Sequence, residues 1–358
     1  MHISVQTFTV PKRFPLTISR GTTSQTTNVW VQVEEDGIEG WGEASPFSIG
    51  DRPQTTDAIV EALQQVAPML EKLSPWERQQ IEQVFTETQI LSAAQAALDM
   101  ALHDWLGKRV GLPLWQMWGL NRRRIVPTSV TIGINSPEGV RQRVRDWLEF
   151  TDVQFLKVKL GSPDGIEADR AIVMTVLESA PPKMPLSIDA NGGWSLDDAV
   201  KMCRWLADLG VKYVEQPLAR GQEENLSILY ERLRGAHASR TPVPIFVDES
   251  CFTSRDIPKL ADRVHGINIK LMKSGGLSEA MRMVNTARAC GLQVMFGCYS
   301  DSSLSNTAAA QLSPLADYLD LDSHLNLIDD PFTGAVMQEG RLLPNDLPGL
   351  GVRMRVSS

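Results

Sequence analysis

Between Leu186 and Gly276 the chain reads as four short apolar runs, each closing on charged or polar residues. They are Leu186-Ser187-Ile188-Asp189-Ala190-Asn191, Tyr213-Val214-Glu215-Gln216-Pro217, Ile245-Phe246-Val247-Asp248-Glu249-Ser250 and Ile267-Asn268-Ile269-Lys270. Short β-branched runs of this kind suit buried parallel strands. Stretches with helical periodicity, Leu196 to Leu209 and Ser278 to Cys290, separate them. In a parallel barrel the strand C-termini share one face, and that face carries the active site. Asp189, Glu215 and Asp248 are therefore predicted to converge. A single strand-end carboxylate is ordinarily a helix cap or a solvated loop residue, but three on successive strands, followed by a lysine on the next, are poorly explained that way. Three carboxylates at one rim repel one another unless a cation lies between them, and Mg²⁺ is the hard, oxygen-seeking ion that suits such a set.

The rest of the chain supplies a frame for these strands. Its 358 residues suit two domains or one barrel with additions. A net charge of −8 gives a nucleic-acid partner no electrostatic support. Met1 to Leu16 has no apolar leader pattern, and no later run is long enough for a membrane span. Cys203, Cys251, Cys290 and Cys298 lack metal or redox spacing and read as reduced thiols, so a cytoplasmic location is expected. Residues 1 to about 50 read as antiparallel strands. Val29 to Val33 alternates, Glu35-Asp36-Gly37 turns, and Ile38 to Glu43 returns. Ser19 to Asn28 and Ser45 to Thr56 read as polar loops flanking this sheet. From Thr55 the period becomes helical, with Gly107 and Gly111 as breakers. Solvated or structural roles are expected for Glu43, Asp99 and Asp104, and the basic run Asn121 to Arg124 reads as a solvated linker.

Strand and helix then alternate: Val126 to Ile132, a helix from Pro137, Phe155 to Leu160, a helix from Ile166, the four runs above, Gln293 to Phe296, and Tyr318 to Leu321. Eight strands at this spacing predict an α/β fold, a (β/α) TIM-type barrel with an N-terminal α+β capping domain. The expected division is a capping domain over 1–122, a catalytic barrel over 123–325, and a tail over 326–358 that returns to complete the capping domain. Exposed barrel faces are compatible with a homo-oligomer.

On the second barrel strand, Lys157-Val158-Lys159 puts both ammonium groups on one face. Two neighbouring cations are expected to depress one pKa, which makes a general base near neutral pH. Lys270 lies on the sixth strand, across the barrel, so a lysine of this pair and Lys270 would flank the metal from opposite sides. Lys273 is outside the strand and is expected at the surface or supporting a loop. A metal beside a carboxylate and two opposed bases suit removal of the adjacent proton, an enediolate, and reprotonation from the other face.

These motifs resemble the enolase superfamily, in its muconate-lactonizing subgroup. The resemblance rests on Lys157-Val158-Lys159, Asp189-Ala190-Asn191, Glu215-Gln216-Pro217, Asp248-Glu249-Ser250 and Asn268 through Gly276, and covers nearly the whole chain. A lysine base with a metal-stabilised enediolate is known chemistry of that superfamily, not a deduction from spacing. The resemblance implies Lys157, Lys159 and Lys270 as catalytic residues, Mg²⁺ on Asp189, Glu215 and Asp248, and Asn191 in support. The interval from Glu215 to Asp248 is long for the family, so Gly221 to Thr241 is expected to carry a surface insertion. Tyr318-Leu319-Asp320-Leu321-Asp322 resembles the Asp-x-Asp motif of dipeptide epimerases, in which the pair binds a substrate ammonium. The Gly297 to Ser303 segment resembles the family's seventh-strand loop, with Asp301 where glutamate is more usual, and His324 reads as incidental. The implied activity is an isomerase: Mg²⁺-dependent epimerisation of a dipeptide at its C-terminal residue, with L-Ala-D/L-Glu as the expected substrate. Arg20, in the first capping loop, is a candidate partner for the glutamate side chain. The alternatives are an o-succinylbenzoate synthase, an N-acylamino acid racemase, or a non-catalytic barrel used for binding. The first two act on substrates without an ammonium, which separates them from a dipeptide epimerase.

Overall fold

The structure, a computed structural model, describes residues 1–19, 21–49, 53–234 and 242–355. The chain opens with a three-stranded antiparallel sheet, β1 (His2–Ile18), β2 (Gly21–Glu35) and β3 (Ile38–Ala44). The expected loop from Ser19 to Asn28 is instead mostly strand. β1 and β2 pair from His2↔Glu34 out to Ile18↔Gly21, as one long ribbon. The outer half of β2, Gly21 to Asn28, is polar on both faces, which hides the alternation. β-branched threonines hold it, with Thr9 and Thr27 hydroxyls 2.8 Å apart and Thr17 and Thr22 likewise 2.8 Å apart.

Two helices, Thr56–Leu70 and Ser92–Val110, cover this sheet, and Arg78–Thr88 packs against the first of them. Ser92–Val110 is Ala-rich because β3 lies directly on it. A Cβ at Gly40 would collide with the Ala101 carbonyl, and one at Gly42 with the Ala97 carbonyl. Gly42→Ala is therefore expected to force the sheet off the helix and cost about 1–3 kcal/mol, read as a lower urea midpoint. Gly107 does not break this helix; its missing side chain admits Gly349 of the C-terminal segment. Gly111 does end it, at φ 76°.

Eight parallel strands follow in sequential order: β4 (Val130–Ile132), β5 (Leu156–Lys159), β6 (Leu186–Asp189), β7 (Val214–Glu215), β8 (Ile245–Val247), β9 (Gly266–Lys270), β10 (Gln293–Gly297) and β11 (Tyr318–Asp320). The Ser129 amide donating to the Leu319 carbonyl at 2.9 Å brings β11 back to β4 and closes the barrel. Helices start where the sequence caps them: Ser136 accepts from the Gly139 amide with Pro137 in the first turn, and Ser195 accepts from the Asp198 amide. The segment expected as an insertion contains an ordinary barrel helix, Glu223–Arg234, which buries Leu226, Leu229 and Leu233; residues 235–241 of that segment lie outside the described residues.

The C-terminal segment packs on the first sheet and its helices. Phe332 packs edge-on against Phe8 and Trp41. The Leu350 amide donates to Asp104 at 2.7 Å, and Asp104 also accepts from the Trp41 amide at 2.9 Å and from Lys108 at 2.7 Å. Asp99, likewise buried, accepts from Arg78 and from the Ser278 amide and hydroxyl. Both carboxylates are structural and neither is solvated. Arg122 of the basic run is also engaged, with Asp346 at 2.8 Å and the Trp115 ring. Among the described residues no helix is long and apolar enough to cross a membrane.

Candidate active site

Alternation along each barrel strand builds the site in layers. Phe155, Tyr213, Phe246 and Met295 pack together inside the barrel, with Tyr318 against them, as an aromatic floor. Two residues further along the same strands come Lys157, Glu215, Asp248 and Asp320; Lys159 and Asp322 lie two further still. Intervening residues such as Val158 and Val214 are fully buried in the main core instead. The charged layer rests on hydrocarbon and is itself shut away. Lys157, Asp189, Glu215 and Asp248 are each 0% exposed, and the other site residues on these strands no more than 8%.

Buried charges at this density persist only when paired. Lys157 meets three carboxylates: Glu215 Oε2 at 2.6 Å, Asp320 Oδ2 at 2.7 Å and Asp189 Oδ2 at 3.2 Å. Lys159 donates to Asp189 at 2.6 Å. Lys270 donates to Asp248 Oδ2 at 2.8 Å. Against the desolvation of burial, Asp320, Glu215 and Asp189 hold the Lys157 pKa well above its ordinary value. Alternation surrounds Lys157 with carboxylates from across the barrel, so it stays charged beside Lys159. Burial also works against the charged forms of Asp189 and Asp248, yet Lys159 and Lys157, and Lys270 and Lys273, hold them below the usual carboxylate range. Glu215 goes the other way. Burial, then the Asp189 charge, push it up to about 7, since its nearest cation is shared with two other carboxylates.

Lys273 corrects the sequence reading. It is 1% exposed and donates to Asp248 Oδ1 at 2.7 Å, to the Asp248 carbonyl at 2.5 Å and to the Asn268 carbonyl at 3.0 Å. The short helix Leu271–Ser274 folds it back beneath the rim. Its signal was available: a lone lysine beside Leu271 and Met272, three residues past a strand-end lysine, is poorly placed for solvent. Left-handed residues follow two of the strand-end acids, Asn191 at φ 45° and Gln216 at φ 39°. The Asn191 amide donates to Asp189 at 2.8 Å, and Gln216 accepts from the Asp248 amide at 2.9 Å, so the turns themselves aim the carboxylates.

The two aspartates of the last strand differ. Asp320 accepts from Ser129 Oγ at 2.7 Å and pairs with Lys157, so it already has a cation. Asp322 accepts from the Thr131 amide at 2.7 Å. Burial, then the Asp320 charge, raise its pKa to about 6. Both line a cavity of about 60 Å³ with Lys159, Lys12, Leu16 and Tyr299. Through Leu16, Tyr299 and Ser300 that cavity adjoins a chamber of about 370 Å³ walled by Ile18, Pro46, Phe47 and Ile49. Lys12, from β1, was not anticipated as a wall residue; burial lowers its pKa, and it donates to Thr23 at 2.7 Å. Arg20 lies outside the described residues, as do 50–52 of the second capping loop.

Glu43 and Asp301 join the two halves of the site. Glu43 accepts from Asn28 at 2.7 Å, from the Ser302 amide at 2.9 Å and from the Ser305 amide at 3.0 Å, at the start of helix Ser303–Leu312. Asp301 accepts from the Ser45 hydroxyl. Burial raises both carboxyls, and their mutual repulsion adds to the rise at Glu43. His324, incidental in the sequence, is held neutral by burial, its pKa lowered to about 4.

The donor set suits a divalent cation. Asp189, Glu215, Asp248, Asp320 and Asp322 outnumber Lys157, Lys159, Lys270 and Lys273, and all are buried. Asp189 and Glu215 are register partners on adjoining strands, and the Asp189 and Asp248 charges both act on Glu215. The side chains here turn toward lysines; among the described residues no group of three His, Cys, Asp or Glu closes on one point.

Comparison with known proteins accords with this geometry. Residues 2–119 match the mandelate racemase/muconate lactonizing enzyme N-terminal domain, and residues 139–358 match the enolase C-terminal domain-like family. A hydrophobic dipeptide epimerase from a Flavobacteria bacterium (strain MS024-2A) is 45% identical over 358 residues, covering 99% of each chain. The substrate-liganded L-Ala-D/L-Glu epimerase from Bacillus subtilis superposes with a TM-score of 0.90 at 31% identity, over 98% of each chain. The dipeptide epimerase from Enterococcus faecalis V583, complexed with Mg and L-Leu-L-Tyr, does so at 0.88 and 31%, again over 98% of each. This chain belongs to the mandelate racemase/muconate lactonizing enzyme family of the enolase superfamily.

Proposed function

We propose that the protein is an isomerase that epimerises dipeptides at the C-terminal residue, with Lys159 and Lys270 as the two proton-transfer groups. The observation that carries this reading is their placement: two lysines on β5 and β9, flanking the carboxylates of β6, β7 and β8. The relatives described as dipeptide epimerases, at up to 45% identity, support the same reaction. In one direction the Lys159 amine takes the α-proton and the Lys270 ammonium gives one to the opposite face; the reverse direction exchanges their roles. Lys157 stays charged beneath them and positions Asp189, Glu215 and Asp320. Lys273 fixes Asp248. Asp189, Glu215 and Asp248 would hold Mg²⁺, which supplies positive charge beside the substrate carboxylate as the α-carbon loses its proton.

For the substrate, the apolar walls of Ile18, Phe47 and Ile49 favour a hydrophobic side chain over the glutamate expected from sequence. A dipeptide library incubated in D₂O and scored by mass shift tests the reaction. Deuterium uptake with epimerisation of Ala-Leu-type dipeptides ahead of L-Ala-L-Glu is expected, and no uptake on any dipeptide rejects the reading.

Metal binding has its own readout. Mg²⁺ at about a hundred times its Kd is expected to stabilise the folded protein by about 2.7 kcal/mol, seen as a rise in Tm. Glu215→Ala should lose that rise while keeping its circular dichroism. An equal rise in the variant would remove Glu215 from the ligand set.

A further inference from the structure

Lys159 and Lys270 are not equivalent. The Lys159 ammonium pairs with Asp189, and among the described residues no ring lies under it. The Lys270 ammonium is held between Asp248 Oδ2, at 2.8 Å, and the face of the Tyr299 ring, 4.6 Å from its centroid. Tyr299 is in turn stacked on Phe47, with centroids 4.6 Å apart and planes 3° from parallel.

Both ends of this stack are anchored. Phe47 exchanges backbone hydrogen bonds with Gln54, and the Gln54 side chain accepts from the Ala93 amide at 2.8 Å where helix Ser92–Val110 begins. On the barrel side, Asn28 donates to the Ser300 carbonyl at 2.8 Å, and Asp301 takes the Ser45 hydroxyl. The first sheet and its loop thus clamp the segment carrying Tyr299. An ammonium on a long, flexible stem, given a carboxylate on one side and a fixed ring face on another, loses most of its freedom to swing.

We infer that Tyr299 is a positioning residue for Lys270: its ring, braced by Phe47, holds that lysine's ammonium in line for transfer at one face of the α-carbon and leaves Lys159 untouched. The inference rests on the two-lysine reading above and adds an asymmetry that reading does not require. It also gives the capping loop a part in the chemistry, since Phe47 stacks on the ring that faces Lys270.

The test measures, in D₂O, epimerisation and α-proton exchange without epimerisation, starting from each epimer separately. Lys270→Ala first identifies the epimer whose exchange depends on Lys159. Tyr299→Leu is expected to lower epimerisation about tenfold, the scale of a desolvated cation–π contact, while exchange of that same epimer stays within about twofold of wild type. Tyr299→Phe keeps the ring face and is expected to recover most of the epimerisation that Tyr299→Leu loses. A Tyr299→Leu enzyme in which both exchanges fall together, or a Tyr299→Phe enzyme as impaired as Tyr299→Leu, would overturn the assignment and leave Tyr299 as packing. A Lys270→Ala enzyme that treats the two epimers alike rejects the two-lysine reading itself, and the inference falls with it. Wild-type urea midpoints in both tyrosine variants separate a kinetic effect from unfolding.

Discussion

Replacing Lys270 by alanine is expected to lower epimerisation by about 10²–10⁴-fold, the usual contribution of a positioned proton-transfer group, while the enzyme still exchanges the α-proton of one epimer with solvent. The asymmetry follows from placement. Lys270 is on β9 and Lys159 on β5, so removing one leaves the other face of the α-carbon with its group in place. The surviving Lys159 can remove a proton, exchange it and return deuterium to the same face, which labels the substrate without inverting it. Lys159→Ala should give the mirror result, retaining exchange of the other epimer. Lys157→Met should behave differently from either. Its ammonium is fully buried among Glu215, Asp320 and Asp189, and removing it leaves uncompensated carboxylates, so both exchanges and the folded state are expected to suffer together. Measuring deuterium incorporation from each epimer distinguishes the three variants. Wild-type epimerisation by Lys270→Ala would end the two-lysine assignment.

Much of this site was legible because strand-end charge after an apolar run is a strong signal, and Asp189, Glu215, Asp248 and Lys270 all carry it. The same alternation placed Lys157 and Lys159 on one face. What alternation along one strand cannot give is the partner across the barrel. Lys157 meets Asp320 from β11, 163 residues away, and only the closed barrel brings them together. Without that contact the lysine pair looked mutually repulsive, and Asp320 looked unpaired. Lys273 was lost for a different reason: a four-residue helix has no periodicity to read, so the turn that buries it is invisible locally. The ribbon of β1 and β2 was under-read because a strand with two polar faces has no hydrophobic alternation. The Tyr299–Phe47 stack joins residues of two separate loops and had no sequence signature at all.

The difference between Asp320 and Asp322 decides the substrate class. A buried carboxylate needs a cation, and Asp320 already has Lys157 at 2.7 Å. Asp322 has the Thr131 amide, faces the cavity beside Lys159, and has its pKa raised to about 6 by burial and by Asp320. An ammonium delivered by the substrate would complete it, and a dipeptide carries one on its N-terminal residue, one residue away from the carboxylate nearest the reacting carbon. Asp322→Ala is therefore expected to lower kcat/KM by about 2–5 kcal/mol, roughly 30- to 5,000-fold. N-acetylation of the dipeptide should be comparably harmful to wild type, because it removes the cation that would pair directly with Asp322 and leaves it only the weaker pull of Lys12 and Lys157. The two losses should not add: Asp322→Ala should discriminate little between the free and acetylated compounds, since each change deletes one half of the same pair. Asp320→Ala should behave otherwise, lowering turnover of both compounds alike, because its primary partner is Lys157 and not the substrate. Wild-type preference for the acetylated compound would reject the dipeptide reading and favour an N-acylamino acid racemase.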